Sequence, residues 1–260
     1  MSAHLTPTVD LIVLAGGRGS RLGGALKPAV EVAGRTLLSR VLDASPLARR
    51  VVVVGPPAAR PAAGAPPLPE PDSPPDHTSS APDDHTAATP SALIWALEDP
   101  PFGGPVAGLA AGLAALTSTS GTAGTDQPKL REPASWLLVL ACDLPWGADA
   151  AHLLVAAASA CDTPTLAATG TAPTVDGVHL VDDTGHAQWL AGIYRAPALQ
   201  AAVDRLGDHV AGASMRQLLA GLTLLGVLDE SGAGVDVDTW QDVESSTARL
   251  SAAPEAPPEE

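Results

Sequence analysis

The chain has 260 residues, with 14 Lys and Arg against 29 Asp and Glu, and a formal net charge of −15. Such an acidic protein is a poor match for nucleic acid or an anionic membrane, and we expect neither as a partner. The length suits one large domain or two small ones. Because aromatic residues make up only 3% of the chain, its core must consist mostly of Leu, Val and Ala.

Neither a sorting signal nor a disulfide framework is expected. The residues before Asp10 lack the basic segment that opens a signal peptide. The longest apolar stretches, such as 106–116, contain Gly and are too short to span a membrane. The two cysteines, Cys142 and Cys161, do not make a disulfide scaffold. We therefore expect a cytoplasmic protein.

A glycine-rich segment follows the first predicted strand. The apolar run Leu11–Leu14 predicts this strand, and residues 14–27 combine several glycines with a serine and three cations. Glycine lets backbone N–H groups approach a ligand and adopt positive φ. With Arg18, Arg21 and Lys27 beside them, these groups predict a concave anion site that suits a triphosphate. The alternatives are a loop that is merely flexible and a solvated basic face.

The next predicted elements follow the order of a βαβ unit. Residues 29–32 predict a short strand, 33–35 a turn, and Thr36 the cap of a helix that reaches Leu42. Residues 50–54 predict a second buried strand. A strand, a loop, a helix and another strand in this order are typical of a parallel sheet.

Two polar stretches and a tail interrupt the regular pattern. The Pro- and Ala-rich stretch 56–90 has no periodicity and predicts a disordered insertion. Residues 117–133 predict a polar loop, and residues 251–260 a disordered tail.

The remaining elements are predicted from apolar periodicity. Regular structure resumes around 91–98, and helices are predicted at 109–116, 149–160, 198–206, 214–219 and 240–250. Strands are predicted at 136–142, 165–168, 177–181, 189–194 and 222–228.

Two aspartates are candidate metal ligands. Asp143 follows a strongly strand-like run, so we expect it at the crevice where open α/β sheets bind ligands. Asp236 and Asp238 alternate with Val235 and Val237, and a strand here would aim both carboxylates at one face. Mg²⁺ takes such oxygen ligands together with substrate phosphates. The alternatives are a plain turn at Asp143 and a helix cap at Asp236 or Asp238.

A second glycine-rich segment, Gly103–Gly108, opens the helix at 109–116. Its free N–H groups can meet a base edge, a ribose or a phosphate, or its small residues can serve close packing alone. The carboxylates of Glu98 and Asp99, just upstream, suit the N1–H and N2–H₂ donors of guanine.

The first glycine-rich segment resembles the signature of one enzyme family. It is not a P-loop, because Pro28 follows Lys27, and Leu22 stands where the third glycine of a dinucleotide fingerprint belongs. Residues 14–27 match the pattern Leu-Ala-Gly-Gly-x-x-x-Arg-Leu-Gly-Gly-x-x-Lys. This pattern is similar to the signature of the nucleotidyltransferases related to molybdenum cofactor guanylyltransferase.

Three later segments resemble the same family in order and spacing. They are Gly104-Pro105-Val106-Ala107-Gly108, Cys142-Asp143-Leu144-Pro145 and the segment 237–242. Two positions depart from the pattern, since Leu26 stands where the family commonly has Asp and Trp240 where it commonly has Pro.

The resemblance implies a fold and a set of site residues. The implied fold is α/β, a Rossmann-like three-layer nucleotidyltransferase fold with a mostly parallel sheet. It forms one domain over 8–250, with an NTP-binding half at 8–147 and an acceptor-binding half at 148–250. The implied catalytic residues are Arg21, Lys27 and Asp143, and the implied ligands of Mg²⁺ are Asp143 and Asp238. The implied nucleotide-binding residues are Leu14, Ala15, Gly16, Gly17, Arg18, Gly19, Ser20, Arg21, Lys27, Asp99, Gly104, Pro105 and Gly108.

The activity implied by the resemblance is transfer of GMP from GTP to the phosphate of molybdopterin, with release of pyrophosphate. Molybdoenzyme maturation proteins are the implied protein partners. One alternative is another small-molecule nucleotidyltransferase that uses CTP with molybdopterin, or an NTP with a sugar phosphate or phospholactate. The other is a nucleotide-binding regulatory protein without catalysis, against which the two retained aspartates argue.

Overall fold

The computed structural model describes residues 7–17, 19–64, 93–99, 101–119, 134–162 and 174–252. Arg18, the predicted strand at 165–168 and most of the predicted insertion, polar loop and tail lie outside the described residues. The strands are β1 (Val9–Leu14), β2 (Glu31–Val32), β3 (Arg35–Thr36), β4 (Val51–Val54), β5 (Leu93–Ala96), β6 (Trp136–Ala141), β7 (Gly177–Val181), β8 (Ala187–Arg195) and β9 (Leu224–Leu228). The α-helices are α1 (Leu37–Val41), α2 (Pro105–Thr119), α3 (Gly147–Asp162), α4 (Ala196–Leu206), α5 (Met215–Leu219) and α6 (Trp240–Ala252).

Seven of these strands form one sheet in the order β5-β4-β1-β6-β8-β7-β9. β1 pairs in parallel with β4 and β6, and β4 pairs in parallel with β5. β8 runs antiparallel to its neighbours β6 and β7, whereas β7 and β9 are parallel. The predicted α/β fold with a mostly parallel sheet is confirmed.

Helices cover both faces of the sheet and make three layers. Alternate residues of a strand face opposite sides, and in β1 Leu11 and Val13 join the core cluster that packs against α1 and α3. Ile12 and Leu14 join the cluster on the other face, with α2, α4 and α5. Within the described ranges, no helix has both the length and the apolar composition needed to cross a bilayer.

A third, smaller core cluster ties together two segments that are far apart in the chain. It contains Leu22, from the first glycine-rich segment, and Val237, from the segment before α6, packed with Val30, Val32 and Leu37. Their joint burial brings the glycine-rich segment and the aspartates on either side of Val237 to the same place.

The structure differs from the predicted boundaries of the polar stretches. Pro57–Ala63, inside the predicted insertion, forms a 3₁₀ helix that buries two alanines. α2 continues to Thr119, because the hydroxyls of Thr117 and Ser118 donate to the carbonyl of Ala114 and so fit within the helix. α6 likewise includes the first two residues of the predicted tail.

Asp10, in β1, carries a buried carboxylate that pairs with two arginines. Its side chain is 1% exposed, and its Oδ2 lies 2.5 Å from Arg50 Nη2 and 3.4 Å from Arg49 Nη2. Removing one partner of a buried ion pair leaves the other charge uncompensated. We expect Asp10→Ala to lower the free energy of unfolding by about 3 kcal/mol, measured by urea denaturation.

The exposed pair of Arg35 and Asp43 provides the control for this experiment. Their side chains are 47% and 48% exposed, although the Nη1–Oδ2 distance of 2.8 Å is also short. Water screens such a pair, so Asp43→Ala should cost less than about 1 kcal/mol. Equal losses in the two variants would contradict a special role for Asp10.

Candidate active site

The carboxyl ends of β1 and β6 lie side by side at one edge of the sheet. Leu14 is the register partner of Ala141, and the N–H of Cys142 donates to the Leu14 carbonyl at 3.0 Å. The glycine-rich segment after β1 therefore begins beside Asp143, which follows β6. Open α/β sheets bind their ligands at this edge.

The glycine-rich segment folds back on itself. Ser20–Leu22 form a 3₁₀ turn, and the Gly19 carbonyl accepts the N–H of Leu22 at 3.0 Å and of Gly24 at 2.9 Å. A Cβ at Gly19 would lie 2.4 Å from the carbonyl oxygen of Ala25, so no larger residue fits at this position. Together with the buried side chain of Leu22, these contacts favour an ordered loop over the flexible alternative.

The segment that carries Asp236 and Asp238 is not the strand that its alternation of Val and Asp predicts. Residues 235–238 have no regular secondary structure. Instead, the N–H of Val237 donates to the carbonyl of Asp143 at 3.0 Å, and the Val237 side chain is buried in the third core cluster. A single backbone hydrogen bond, rather than a strand pairing, thus brings this segment to Asp143.

The start of α6 holds the backbone at Asp238. The carboxylate of Asp242 accepts the N–H of Asp238 at 3.0 Å and of Thr239 at 2.7 Å, and Thr239 Oγ1 accepts the N–H of Asp242 at 3.2 Å. Hydrogen bonding from Thr239 holds the pKa of Asp242 below its ordinary value. The capping role considered for Asp238 therefore belongs to Thr239 and Asp242, and the Asp238 carboxylate pairs with side chains instead.

Three carboxylates and two cations meet at this edge of the sheet. One oxygen from each of Asp143, Asp236 and Asp238 lies within 4.8 Å of the other two. Lys27 Nζ lies 2.5 Å from Asp143 Oδ2 and 2.5 Å from Asp238 Oδ1, and Arg21 Nη1 lies 2.9 Å from Asp238 Oδ2. The Lys27 side chain is 13% exposed and that of Arg21 is 71% exposed, so Lys27 occupies the shielded centre and Arg21 the rim.

Burial and charge act in opposite directions on the pKa of Lys27. Burial lowers this pKa, but the charge of Asp143 and hydrogen bonds to Asp143 and Asp238 outweigh burial and raise the pKa above its ordinary value. Lys27 is therefore positively charged at all physiological pH values. The pKa of Asp236 is raised, first by loss of water around its carboxyl and then by the charges of Asp143 and Asp238. Three carboxylates against two cations leave an excess of negative charge.

This cluster, which we call the acidic cluster (Asp143, Asp236 and Asp238), fits a divalent metal ion. Asp143 Oδ1 is buried and has no hydrogen-bond partner among the described residues. A buried acceptor without a partner is costly, and a ligand can satisfy it. Carboxylate oxygens are the protein ligands that Mg²⁺ prefers. Asp236 adds a third carboxylate to the predicted pair of Asp143 and Asp238. Its position two residues before Asp238 is the feature of the sequence that indicates its place on the same side.

Two adjoining cavities open at this edge of the sheet, with volumes of about 550 and 490 Å³. The first lies between the ends of β1 and β6 and the start of α2, and Asp143 is part of its wall. The second lies along the glycine-rich segment. Of the predicted nucleotide-binding residues, the first cavity is lined by Leu14, Gly16, Gly17, Gly104, Pro105 and Gly108, and the second by Gly16, Gly17, Gly19 and Ser20.

Four of the predicted nucleotide-binding residues in the described ranges line neither of these cavities. Arg21 and Lys27 contact the acidic cluster instead, and the other two are Ala15 and Asp99. Ala15 is buried, and its N–H donates to the Val54 carbonyl at 2.7 Å. Asp99 is exposed, whereas its neighbour Glu98 lines both cavities. The sequence predicts a carboxylate here, but the path of the chain after β5 decides which of the two faces the cavities.

The family comparison covers most of the chain. The family model described as "MobA-like NTP transferase domain" matches residues 11–224. A curated molybdenum cofactor guanylyltransferase from Rhodopseudomonas palustris (strain BisB5) is 54% identical over 37 residues. That match is local, because it covers 14% of this chain and 18% of the relative's length.

Three solved structures illustrate the shared fold. Molybdopterin-guanine dinucleotide biosynthesis protein A from Archaeoglobus fulgidus has a TM-score of 0.57 at 16% identity, covering 93% of this chain and 98% of that one. A nucleotidyl transferase from Methanothermobacter thermautotroptrophicus has a TM-score of 0.58 at 16% identity, covering 95% and 99%. The 2-C-methyl-D-erythritol 4-phosphate cytidylyltransferase from Thermus thermophilus has a TM-score of 0.53 at 15% identity, covering 94% and 100%. At these sequence identities the similarity shows a shared fold.

Since the family model spans residues 11–224, the chain belongs to the MobA-like NTP transferase family and is a nucleotidyltransferase.

Proposed function

We propose that this nucleotidyltransferase moves GMP from GTP to the phosphate of molybdopterin, releases pyrophosphate and uses Mg²⁺. The observation that carries the proposal is the contact of Lys27 with Asp143 and Asp238, beside the glycine-rich segment and the first cavity. The local match to a curated guanylyltransferase supports the guanine donor and the molybdopterin acceptor. A cytoplasmic location and contact with molybdoenzyme maturation proteins stay predictions.

The reaction requires positioning and charge rather than a side-chain nucleophile. The acceptor phosphate is already ionised at neutral pH, so its oxygen attacks the α-phosphorus without a general base. The new bond from oxygen to phosphorus forms as the bond from the α-phosphorus to the bridging oxygen breaks. Pyrophosphate leaves with that electron pair, and the protein's task is alignment and stabilisation of the phosphate charge.

The residues around the first cavity and in the acidic cluster supply the alignment and the stabilisation of charge. Gly16, Gly17 and Gly104 line this cavity, and their backbone N–H groups would be available to the phosphates of a bound triphosphate. Lys27 and Arg21 supply positive charge for the phosphate oxygens. When bound, Mg²⁺ held by the acidic cluster would neutralise further charge on the triphosphate.

The composition of the acidic cluster supports a cation in addition to Lys27 and Arg21. The pKa of Asp236 is raised rather than lowered, so its charged form is destabilised in the folded protein. A carboxylate whose charge destabilises the folded protein is typical of a binding site in which a ligand offsets that charge.

We therefore expect Asp236→Asn to stabilise the metal-free protein at pH 7. The gain should be less than about 1 kcal/mol, because the residue as a whole is exposed even though its carboxyl lies close to two other carboxylates. A raised pKa in the folded state means that the charged carboxylate disfavours folding above that pKa. The gain should disappear as the pH falls below the unfolded pKa of about 3.9. Thermal unfolding of metal-free protein at pH 7 and at about pH 3, below that unfolded pKa, measures this.

Asp242→Asn is the matched control. The pKa of Asp242 is lowered, so its charge favours folding above the unfolded pKa, and this contribution is lost as the pH falls through the folded pKa. This variant should lose roughly 0.5 kcal/mol at pH 7. A loss of stability in Asp236→Asn at pH 7 would contradict the excess of negative charge.

For activity, we expect Lys27→Ala and Asp143→Ala each to lower the rate of pyrophosphate release by on the order of 10²-fold or more. Both remove charge that stabilises the transferring phosphate. Arg35→Ala is the control, because Arg35 pairs with Asp43 away from the acidic cluster and should retain full activity. A loss under about threefold at Lys27 or Asp143 would contradict the proposal.

Substrates are tested in one panel of the purified protein with Mg²⁺, each of the four NTPs, and molybdopterin, a sugar phosphate or phospholactate. The proposal predicts pyrophosphate release with GTP and molybdopterin only, abolished by EDTA. Release with CTP and molybdopterin would show that the donor is CTP rather than GTP. Release only with a sugar phosphate or phospholactate would show that the acceptor is not molybdopterin. No release with any combination, despite NTP binding, would indicate a regulatory protein.

A further inference from the structure

Lys27 contacts the two carboxylates that the proposed function assigns to the metal ion. Its Nζ lies 2.5 Å from Asp143 Oδ2 and 2.5 Å from Asp238 Oδ1. In the described part of the chain these are its only ion pairs, and the neighbouring Leu26 adds no charge. The ammonium group of Lys27 and a divalent cation would therefore use the same two carboxylates.

The two carboxylates differ in how many of their oxygens are occupied. Both oxygens of Asp238 accept hydrogen bonds from cations, Oδ1 from Lys27 Nζ and Oδ2 from Arg21 Nη1. In Asp143, Oδ2 accepts from Lys27, whereas the buried Oδ1 has no hydrogen-bond partner among the described residues. A metal ion thus has one available oxygen on Asp143, but at Asp238 it must share an oxygen with a cation or replace that cation.

Sharing an oxygen would place two cations close together. Carboxylate oxygens bind Mg²⁺ at about 2.1 Å, and Lys27 Nζ lies 2.5 Å from the oxygens that it contacts. A metal ion on one of these oxygens would therefore lie at most about 4.6 Å from the ammonium group. Because the Lys27 side chain is largely buried, water screens the repulsion between the two cations only weakly. Replacement of Lys27 by the metal ion is thus favoured over sharing.

Lys27 has a second set of anions within reach when a triphosphate is bound. Its backbone is held in a 3₁₀ turn, where its carbonyl accepts the N–H of Val30 at 3.1 Å. Its charge, however, is carried on a flexible four-carbon stem. Since Asp143 is part of the wall of the first cavity, Lys27 Nζ lies next to the space proposed for the triphosphate. The phosphate oxygens there would accept charge-assisted hydrogen bonds from the ammonium group in place of the carboxylates.

We propose that Lys27 competes with the divalent cation for Asp143 and Asp238, and that a bound triphosphate relieves this competition. Without a nucleotide, Lys27 holds both carboxylates and weakens the binding of the metal. When a triphosphate binds, its oxygens attract the ammonium group and leave the carboxylates to the metal. Metal and triphosphate therefore strengthen each other's binding. The proposal rests on the proposed function only in that both ligands bind at this edge of the sheet.

Titrations of the full chain with Mn²⁺ and with inorganic tripolyphosphate, each alone, test the competition. Lys27→Met keeps most of the length of the side chain and removes its charge. This variant should lower the Kd for Mn²⁺, measured by electron paramagnetic resonance without polyphosphate, by about 10-fold. It should raise the Kd for tripolyphosphate, measured by calorimetry without metal, by about 10-fold. These opposite changes distinguish competition from a structural role of Lys27, whose loss would weaken the binding of both probes.

Two further variants separate the competition from a general change in charge. Arg21→Met also removes a cation from Asp238, but from the exposed rim, so its Kd for Mn²⁺ should fall by less than about threefold. Arg35→Met, away from the acidic cluster, should leave both Kd values unchanged. Equal gains in Mn²⁺ affinity in Arg21→Met and Lys27→Met would contradict the competition. If Lys27→Met does not fold, Lys27→Gln takes its place, and the same opposite changes are expected.

The outcomes also separate the competition from the proposed function. If Lys27→Met binds Mn²⁺ no more tightly than the unaltered protein, the competition is wrong and the proposed function stands. The double variant Lys27→Met/Asp143→Asn should lose the gain in Mn²⁺ affinity. If it keeps the gain, the metal binds outside the acidic cluster, and both the competition and the proposed metal site are wrong. Neither probe carries a base or an acceptor, so an error in the identity of either substrate is detected only by the substrate panel.

Discussion

Like charges repel, and the candidate active site is arranged around the repulsion between Asp143, Asp236 and Asp238. One oxygen of each carboxylate lies within 4.8 Å of the other two, and Lys27 partly compensates their charge by contacting Asp143 and Asp238. Arg21 assists from the rim. The backbone holds this arrangement in place, and a bound cation would relieve the repulsion between the carboxylates.

Two features of the fold hold the backbone of the candidate active site in place. The parallel pairing of β1 with β6 sets the glycine-rich segment beside Asp143. The third core cluster then buries Leu22 and Val237 together, and the N–H of Val237 donates to the carbonyl of Asp143. The hydrophobic contact thus positions the charges, since the carboxylates before α6 and the carboxylate of Asp143 would otherwise repel one another.

Much of the fold could be predicted from the sequence, because its signals are local. The apolar run of β1, the cap at Thr36 and the strand-like residues before Asp143 all describe short stretches whose structure depends mainly on their own residues. The antiparallel direction of β8 could not be predicted in this way, because pairing direction depends on where the chain returns to the sheet. The alternation at 235–238 led to a wrong prediction of a strand, since burial of Val237 alone explains the pattern.

The residues of the candidate site that belong to sequence motifs could be predicted from the sequence. Lys27, Asp143 and Asp238 were candidates from their positions in the sequence, the family resemblance implied their roles, and the structure brings them together. Their roles in the reaction stay a proposal. What residue types could not reveal is which of two adjacent carboxylates, Glu98 or Asp99, faces the cavities, because that depends on the turn at Phe102.

The central claim is that the acidic cluster and the glycine-rich segment bind one metal–nucleotide complex. Crystals grown with GTP and Mn²⁺, which replaces Mg²⁺ and gives an anomalous signal, test it most directly. The account predicts an anomalous peak about 2.1 Å from carboxylate oxygens of Asp143 and Asp238, with the phosphates of GTP against the segment from Gly16 to Lys27. A metal peak elsewhere, or GTP bound while Lys27 still bridges Asp143 and Asp238 with no metal between them, would contradict it.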